Sequence, residues 1–564
     1  MQTPGSSPPD SADSEDTRRA SAPAAGALDA PAAPARPGGG AAPPAPGTGP
    51  RWASDRVFLA TFALLAVAAI VPIWRVRFLP LLDLPNHLAA VHIWHNFDEP
   101  WTRFRDFYEL SLRPAPYGAY HILTHALAYV VRLEDANRLV LSGYVLSIPA
   151  AALGWARRTR RSPWLSVLTF PLAFSLSWAC GFLPFLVGIS LLLAGIVALD
   201  AHLERPSRGR AAAVALLSVG CGLSHPLILF GYYVCVAVLM LCYLPRWRRI
   251  AGALPLFAPA AALLAWQLVA FKSPMVDLRS GPRFQGAWVP WHEMLRSFPE
   301  YTLDSVSGDL DTRLFWVFLA VASVLAAWSV AGLFRGARAP GKEAGPPPGS
   351  LLDRLHRHRS LALCAAMVAC YFLVPLHLAR PFDWWFVSGR FSPLICFFGF
   401  LAITAPLRGL SRLLMAPAVV AALVLPLHLS QKYESFDERL QPFARLVGRI
   451  PPRAEVLFVS LPPRTDEALI IEGTNHFNSW VQIMRGGFSA DGWHNVGFPF
   501  TLKRRLPAPP SNRGERFNPD VHGVAYDYVI LRNERPERPV FTAAHTRFRR
   551  VDREGAFTLY ERTR

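Results

Sequence analysis

The densest run of groups able to do chemistry is Asp83-Leu84-Pro85-Asn86-His87, followed by His92 and His95 in a stretch of helical spacing that ends near Phe97. Asp83 and His87 stand four residues apart and share a helix face, whereas His92 falls about 180° around from Asp83 at about 100° per residue. A carboxylate and an imidazole on one face are equipped for proton transfer at a single point. His92 is not placed to join them. The alternative for Asp83 is a helix N-cap, since Asp followed by Pro in the first turn is a common way to start a helix. Its position just after an apolar stretch favours use over capping, because an ionisable group at a membrane surface is costly unless paired or employed. Two further histidine sites are open to either interpretation. His225, in Gly222-Leu223-Ser224-His225-Pro226, is a cavity-lining group or a plain turn residue, and His121 and His125, spaced i, i+4, would need a third ligand to hold a metal. No HExxH accompanies that pair.

The elements that must position these groups are membrane spans. Hydrophobic residues make up 52% of the 564-residue chain and charged ones 17%, and the mean hydropathy is +0.23, values that exclude an ordinary soluble enzyme. Eleven apolar stretches, at 57–74, 137–156, 163–180, 182–199, 211–224, 226–244, 251–271, 313–334, 360–378, 391–406 and 411–428, approach the length that crosses a ~30 Å hydrocarbon core. A shorter one, 118–131, carries His121 and His125 and is expected to be re-entrant or surface-lying. With it left uncrossed, the loops at 157–161, 200–210, 245–249, 335–359 and 407–412 share one side and hold 18 basic residues. The loops at 75–136, 272–312 and 379–390 share the other, with 12 basic against 14 acidic residues. The positive-inside rule then makes residues 1–50 a cytoplasmic tail, 75–136 an external loop and 429–564 an extracytoplasmic domain. The net charge of +18 therefore marks a membrane side and not a nucleic-acid partner.

The tail holds eleven prolines, seven glycines and no aromatic residue, so disorder is expected there. No basic segment and short apolar core open the chain, and 57–74 is taken as a retained span. All seven cysteines lie in apolar stretches without a CxxC pair, which supports neither disulfides nor a thiolate metal site. Beyond 429 the composition is that of a soluble domain. Runs 454–461 and 526–532 are expected strands, 434–449 has helical spacing, and 473–510 suggests long loops. The fold class expected is a mainly α polytopic membrane protein of about eleven transmembrane helices, in membrane domain 51–428, followed by a small α/β domain at 429–564.

Several short motifs, in order, resemble the GT-C class of membrane glycosyltransferases. They are an acidic residue opening a long external loop after the first span, then Arg113-Pro114-Ala115-Pro116-Tyr117 leading into Tyr120-His121-Ile122-Leu123, then Asn137-Arg138-Leu139, and late in the chain Ser388-Gly389-Arg390-Phe391-Ser392-Pro393-Leu394. The resemblance covers residues 57–406 and implies a cell (inner) membrane enzyme that takes a sugar from a polyprenyl-phosphate donor to a glycan, lipid or protein acceptor. It implies Asp83 as the catalytic base, with His87 to orient it or bind acceptor. Arg390, Arg380 and Lys272, at external ends of spans, are the candidates for the donor phosphate; snorkelling to the interface is the competing role for Arg380 and Lys272. His225, His121 and Asp383 are candidate cavity-lining groups. The rings of Asp383-Trp384-Trp385 would stack on sugar or simply sit at the interface. Asn475-His476-Phe477-Asn478-Ser479-Trp480 mixes amides and aromatics as carbohydrate sites do, but is assigned no catalysis. A lone Asp replaces the acidic pair common in the class, which leaves open whether a divalent cation takes part. The competing function is a non-catalytic transporter or lipid-glycan flippase, which would place ionisable groups near the midplane of broken helices.

Overall fold

The computed structural model describes residues 55–270, 285–337, 351–380, 383–461, 476–488, 490, 498–507, 516–534, 540–542 and 544–563. Trp52–Arg564 forms one compact unit; the expected tail 1–50 and Lys272 lie outside the described residues. The first span, Arg56–Trp74, is started by Asp55, whose carboxylate accepts from Phe58 N at 3.3 Å and also pairs with Arg412 at 3.0 Å. Leu133–Arg158 carries Glu134 and Asp135 in its first turn and Arg157 and Arg158 in its last, so its charges match the helix dipole at both ends.

Among the described residues, six helical segments are long and apolar enough to cross a membrane by length and composition: Arg56–Trp74, Leu133–Arg158, Leu183–Glu204, Leu244–Val269, Leu310–Ala331 and Gly409–Gly448. Shorter apolar helices, among them Pro226–Cys242 and Arg359–Leu373, pack with them. The stretch 163–180 departs from its expected form. It winds as a 3₁₀ helix over Pro163–Ala173 and then a single turn, Leu176–Ala179, with Trp164 to Ala173 buried throughout. Two prolines and close packing against Leu133–Arg158 explain the tighter winding, and an apolar run of this length suits a core segment as well as a span. The stretch 360–378 likewise ends as helix at Leu373, before Pro375, and continues as strand β3 (His377–Arg380) paired antiparallel with β2 (Gln285–Ala287).

One buried carboxylate ties together the end of the bundle that carries Arg158. Asp200 is fully buried between Arg158 Nε at 2.6 Å and Arg359 Nε at 2.8 Å, and accepts from Tyr243 Oη at 3.0 Å. A buried charge so surrounded is a fixed structural pair, not a group left for transport.

At the other end the last long helix does not stop at 428. Ala416–Gly448 runs unbroken from the membrane segment into the region read as a separate helix at 434–449. Its Phe443 lies among Phe78, Phe458, Phe477 and Phe557 at ring separations of 5.3–6.4 Å, joining the first external loop to the C-terminal sheet. That sheet has the order β4-β6-β8-β7, with β4 (Val456–Ser460) parallel to β6 (Tyr528–Arg532), and β7 (Phe548–Glu554) and β8 (Phe557–Arg562) antiparallel. Both expected strands are thus paired side by side. The region 473–510, expected as loops, contains the helix Phe477–Arg485 and strand β5 (Phe500–Leu502). β5 pairs with β1 (Tyr108–Leu110) of the external loop, Tyr108 opposite Leu502 and Leu110 opposite Phe500.

Candidate active site

Where these parts meet there is a cavity of about 440 Å³ with mostly apolar walls. Asp83, His87, His121, His225, Asp383 and Arg390 all line it. Residues scattered over more than three hundred positions of sequence are therefore brought to one place.

Asp83 occupies the N-cap position of Leu84–His95, with Pro85 in the first turn, yet its side chain makes no capping bond. It is 6% exposed. The backbone under it is clamped: Asp83 N donates to Cys180 O at 3.1 Å, and Gly181, at φ +68°, has room for no side chain because a Cβ there would lie 2.8 Å from Asp83 N.

His87 and His121 form a pair whose protons are assigned by their partners. His121 Nδ1 lies 2.9 Å from Tyr117 O, an acceptor only, so Nδ1 carries the proton. In the neutral ring Nε2 is then bare and accepts from His87 Nδ1 at 3.3 Å, which leaves the lone pair of His87 on Nε2. Burial pushes His121 down to about 4. Burial, with the adjoining His121 and His476, holds His87 well below its ordinary value. Both rings are neutral near pH 7, and His87 can accept a hydrogen bond or a proton at Nε2.

His225 stands at a helix start and on the cavity wall. Its Nδ1 accepts from Leu227 N at 3.1 Å and so caps Pro226–Cys242, while its ring packs between Tyr117 and Trp384 on the cavity wall. Arg390 is 6% exposed, with its guanidinium carbon 3.9 Å from the centre of the Phe182 ring and Nη2 donating to Trp385 O at 2.7 Å. Among the described residues its Nε has no hydrogen-bond partner. A buried guanidinium with an unmet donor is prepared for an anion. Asp383 sits at the rim, 66% exposed, and holds His377 Nε2 at 2.8 Å while His377 stacks on Trp385. Arg380 does not line the cavity; it belongs to β3, in register with Gln285.

The remaining histidines of the loop sort by face. His92 packs on Phe104 and Trp101 and contacts Asn96, away from Asp83 as the helical spacing requires. His125 stacks on Trp94 at 3.9 Å, apart from His121. Among the described residues no three His, Cys, Asp or Glu side chains converge to hold a metal ion.

The C-terminal wall includes Ser479 of the motif of amides and aromatics to which the sequence assigned no catalysis, and its helix was not expected. Ser479, Gln482, Phe498 and Phe500 line the cavity, and His476 Nε2 lies 3.4 Å from Asp83 Oδ1. A signal was present in Phe477, Trp480, Val481 and Met484, whose i, i+3, i+4, i+7 spacing is that of an amphipathic helix inside the supposed loop.

No family model matches the chain, and no curated protein matches it. Among solved structures, that of ArnT from Cupriavidus metallidurans bound to undecaprenyl phosphate aligns over 90% of this chain and 98% of its own, at 10% identity and a TM-score of 0.51. The same protein in the apo state aligns over the same shares at 12% identity and a TM-score of 0.39. The chain has the ArnT-like GT-C fold, and it is a membrane protein.

Proposed function

We propose that this protein is an integral-membrane glycosyltransferase that moves a sugar from a polyprenyl-phosphate donor to a hydroxyl of a glycan, lipid or protein acceptor on the external face of the membrane. The observation that carries this function is a single cavity walled by a buried carboxylate, Asp83, and a buried guanidinium with an unmet donor, Arg390. The fold adds weight, since the neighbour sharing it was solved with undecaprenyl phosphate.

The chemistry follows from where the groups stand. An acceptor oxygen attacks the anomeric carbon of the sugar, its proton passes to Asp83, and the bond from that carbon to the phosphate oxygen breaks with its electron pair leaving on the phosphate. Arg390 meets the charge that builds on the leaving phosphate, at low dielectric, where such a contact is strongest. His87, with its lone pair on Nε2, receives a hydrogen bond from a second hydroxyl of the acceptor and orients it. Tyr117, Phe182, Phe185 and Trp384 supply faces for the sugar ring and for the first carbons of the lipid.

The test is mass spectrometry of polyprenyl-phosphate sugars in cells lacking this protein, complemented with wild type or with Asp83→Asn. One lipid-linked sugar is expected to accumulate without the protein, to clear with wild type, and to persist with Asp83→Asn although the variant is made and inserted, corresponding to a loss of about 10²-fold or more in transfer. An unchanged lipid pool in all three strains removes polyprenyl-sugar transfer as the function.

A further inference from the structure

The C-terminal segment brings more than a wall to the cavity. Helix Phe477–Arg485 lies on Leu84–His95, with Ser479 Oγ donating to Asn86 Oδ1 at 2.5 Å and Trp480 packed edge-on against Phe78 at 5.0 Å. Gln482 Nε2 donates to Tyr108 Oη at 2.7 Å, and β5 is stitched to β1 just beyond. At the start of this helix, His476 directs Nε2 to 3.4 Å from Asp83 Oδ1, with both side chains nearly enclosed. An ionised carboxylate only accepts, so the imidazole is the donor and carries a proton on Nε2.

Resting on the glycosyltransferase role of Asp83, we infer that His476 is a positioning residue for that carboxylate, so that the reaction centre is shared between the first external loop and the C-terminal segment. His476 exchanges no atom in the reaction. It fixes the direction in which Asp83 faces the acceptor and favours the ionised form that must take the proton. Other groups stand around the pair as well. His87, from the same helix, and His121, from Gly118–Ala128, are neutral in the working range and paired to each other. Cys180, on the turn beneath, and Arg390, across the cavity, lie within coulombic reach of Asp83, and Asp383 stands out at the rim. None of these comes from the C-terminal segment.

The experiment follows clearance of the endogenous polyprenyl-phosphate sugar in permeabilised spheroplasts of the deletion strain, from about pH 4 to about pH 8, with wild type, His476→Ala, His476→Gln, Asp83→Asn and the His476→Ala/Asp83→Asn double variant. A hydrogen bond to a charged group is worth enough for His476→Ala to slow clearance by about 10- to 100-fold. The donor level giving half-maximal rate should stay the same. The acid limb of the pH profile should move to higher pH, since the carboxylate loses a donor that favours its charged form. His476→Gln, whose amide can donate from a similar place, should recover most of the rate, and the double variant should be no slower than Asp83→Asn. His476→Ala with wild-type rate and pH profile, beside an inactive Asp83→Asn, overturns the inference and leaves the role of Asp83 standing. Normal clearance by Asp83→Asn overturns both.

Discussion

Tyr117 governs the protonation of two histidines without titrating itself. Its backbone sits at φ +72°, a conformation that costs a bulky residue of order 1–3 kcal/mol and persists only where the surroundings impose it. Those surroundings are explicit: its N–H donates to Ser224 O at 3.0 Å, its carbonyl accepts from His121 Nδ1 at 2.9 Å, and its hydroxyl accepts from Trp384 Nε1 at 2.8 Å. The cost of burying neutral imidazoles gives a pH dependence of known sign. Free imidazoles protonate near their ordinary value of 6.5, whereas His121 waits until about 4 and His92 until about 3. Between 6.5 and about 4 the unfolded chain therefore binds more protons, and stability falls as pH falls. The thermal midpoint of the detergent-solubilised protein should drop across that window, and a flat profile would mean these rings are solvated. At this scale much was legible. The four-residue spacing joined Asp83 to His87 and set His92 apart, because a helix fixes angles from sequence alone. The contact of His476 with Asp83 was hidden, since no periodicity links positions so far apart.

Elements carry the next level of constraint, and here glycine makes a sharp prediction. The turn at Cys180-Gly181 supports the backbone of Asp83 from below, and a methyl at Gly181 would meet backbone atoms while also straining a positive φ. Gly181→Ala should lower stability by about 1–3 kcal/mol and depress transfer, as read by denaturation in detergent and by lipid clearance. Gly209, whose added Cβ would meet nothing within 4 Å, is the control, and Gly209→Ala should leave both unchanged. Element types were well marked by composition at Arg56–Trp74 and Leu183–Glu204, where long apolar runs admit few alternatives. They were poorly marked at 163–180, because hydropathy does not distinguish a segment wrapped in protein from one bathed in lipid. The helix Phe477–Arg485 escaped for the opposite reason: it is short, bounded by glycines and amides, and acquires its shape from the surface it rests on.

For the molecule as a whole, sidedness is the property most open to test. From the charge bias the loop 75–136 and the C-terminal sheet are expected on the external side, and the two are joined by β1 and β5. All seven native cysteines are buried or half-buried, so an added surface thiol stands out. Glu109→Cys, exposed on the strand of the external loop, should react with an impermeant thiol reagent in intact spheroplasts; Arg160→Cys, exposed in the basic loop, should react only after lysis. The reverse pattern would invert the topology. The far end of the bundle is held by Asp200 and its two arginines, while the cavity end is closed by segments from distant parts of the chain.

The joining of β1 to β5, and of Asn86 to a serine 393 positions later, also sets a schedule. At ~5–20 residues per second, a growing chain exposes Asp83 for roughly 20 to 80 seconds before the C-terminal half of its setting has been translated. A nascent chain halted before that point would hold the carboxylate without the wall that closes around it. The order of synthesis thus acts as a safety catch, withholding the finished cavity until Phe477–Arg485 and β5 have left the ribosome.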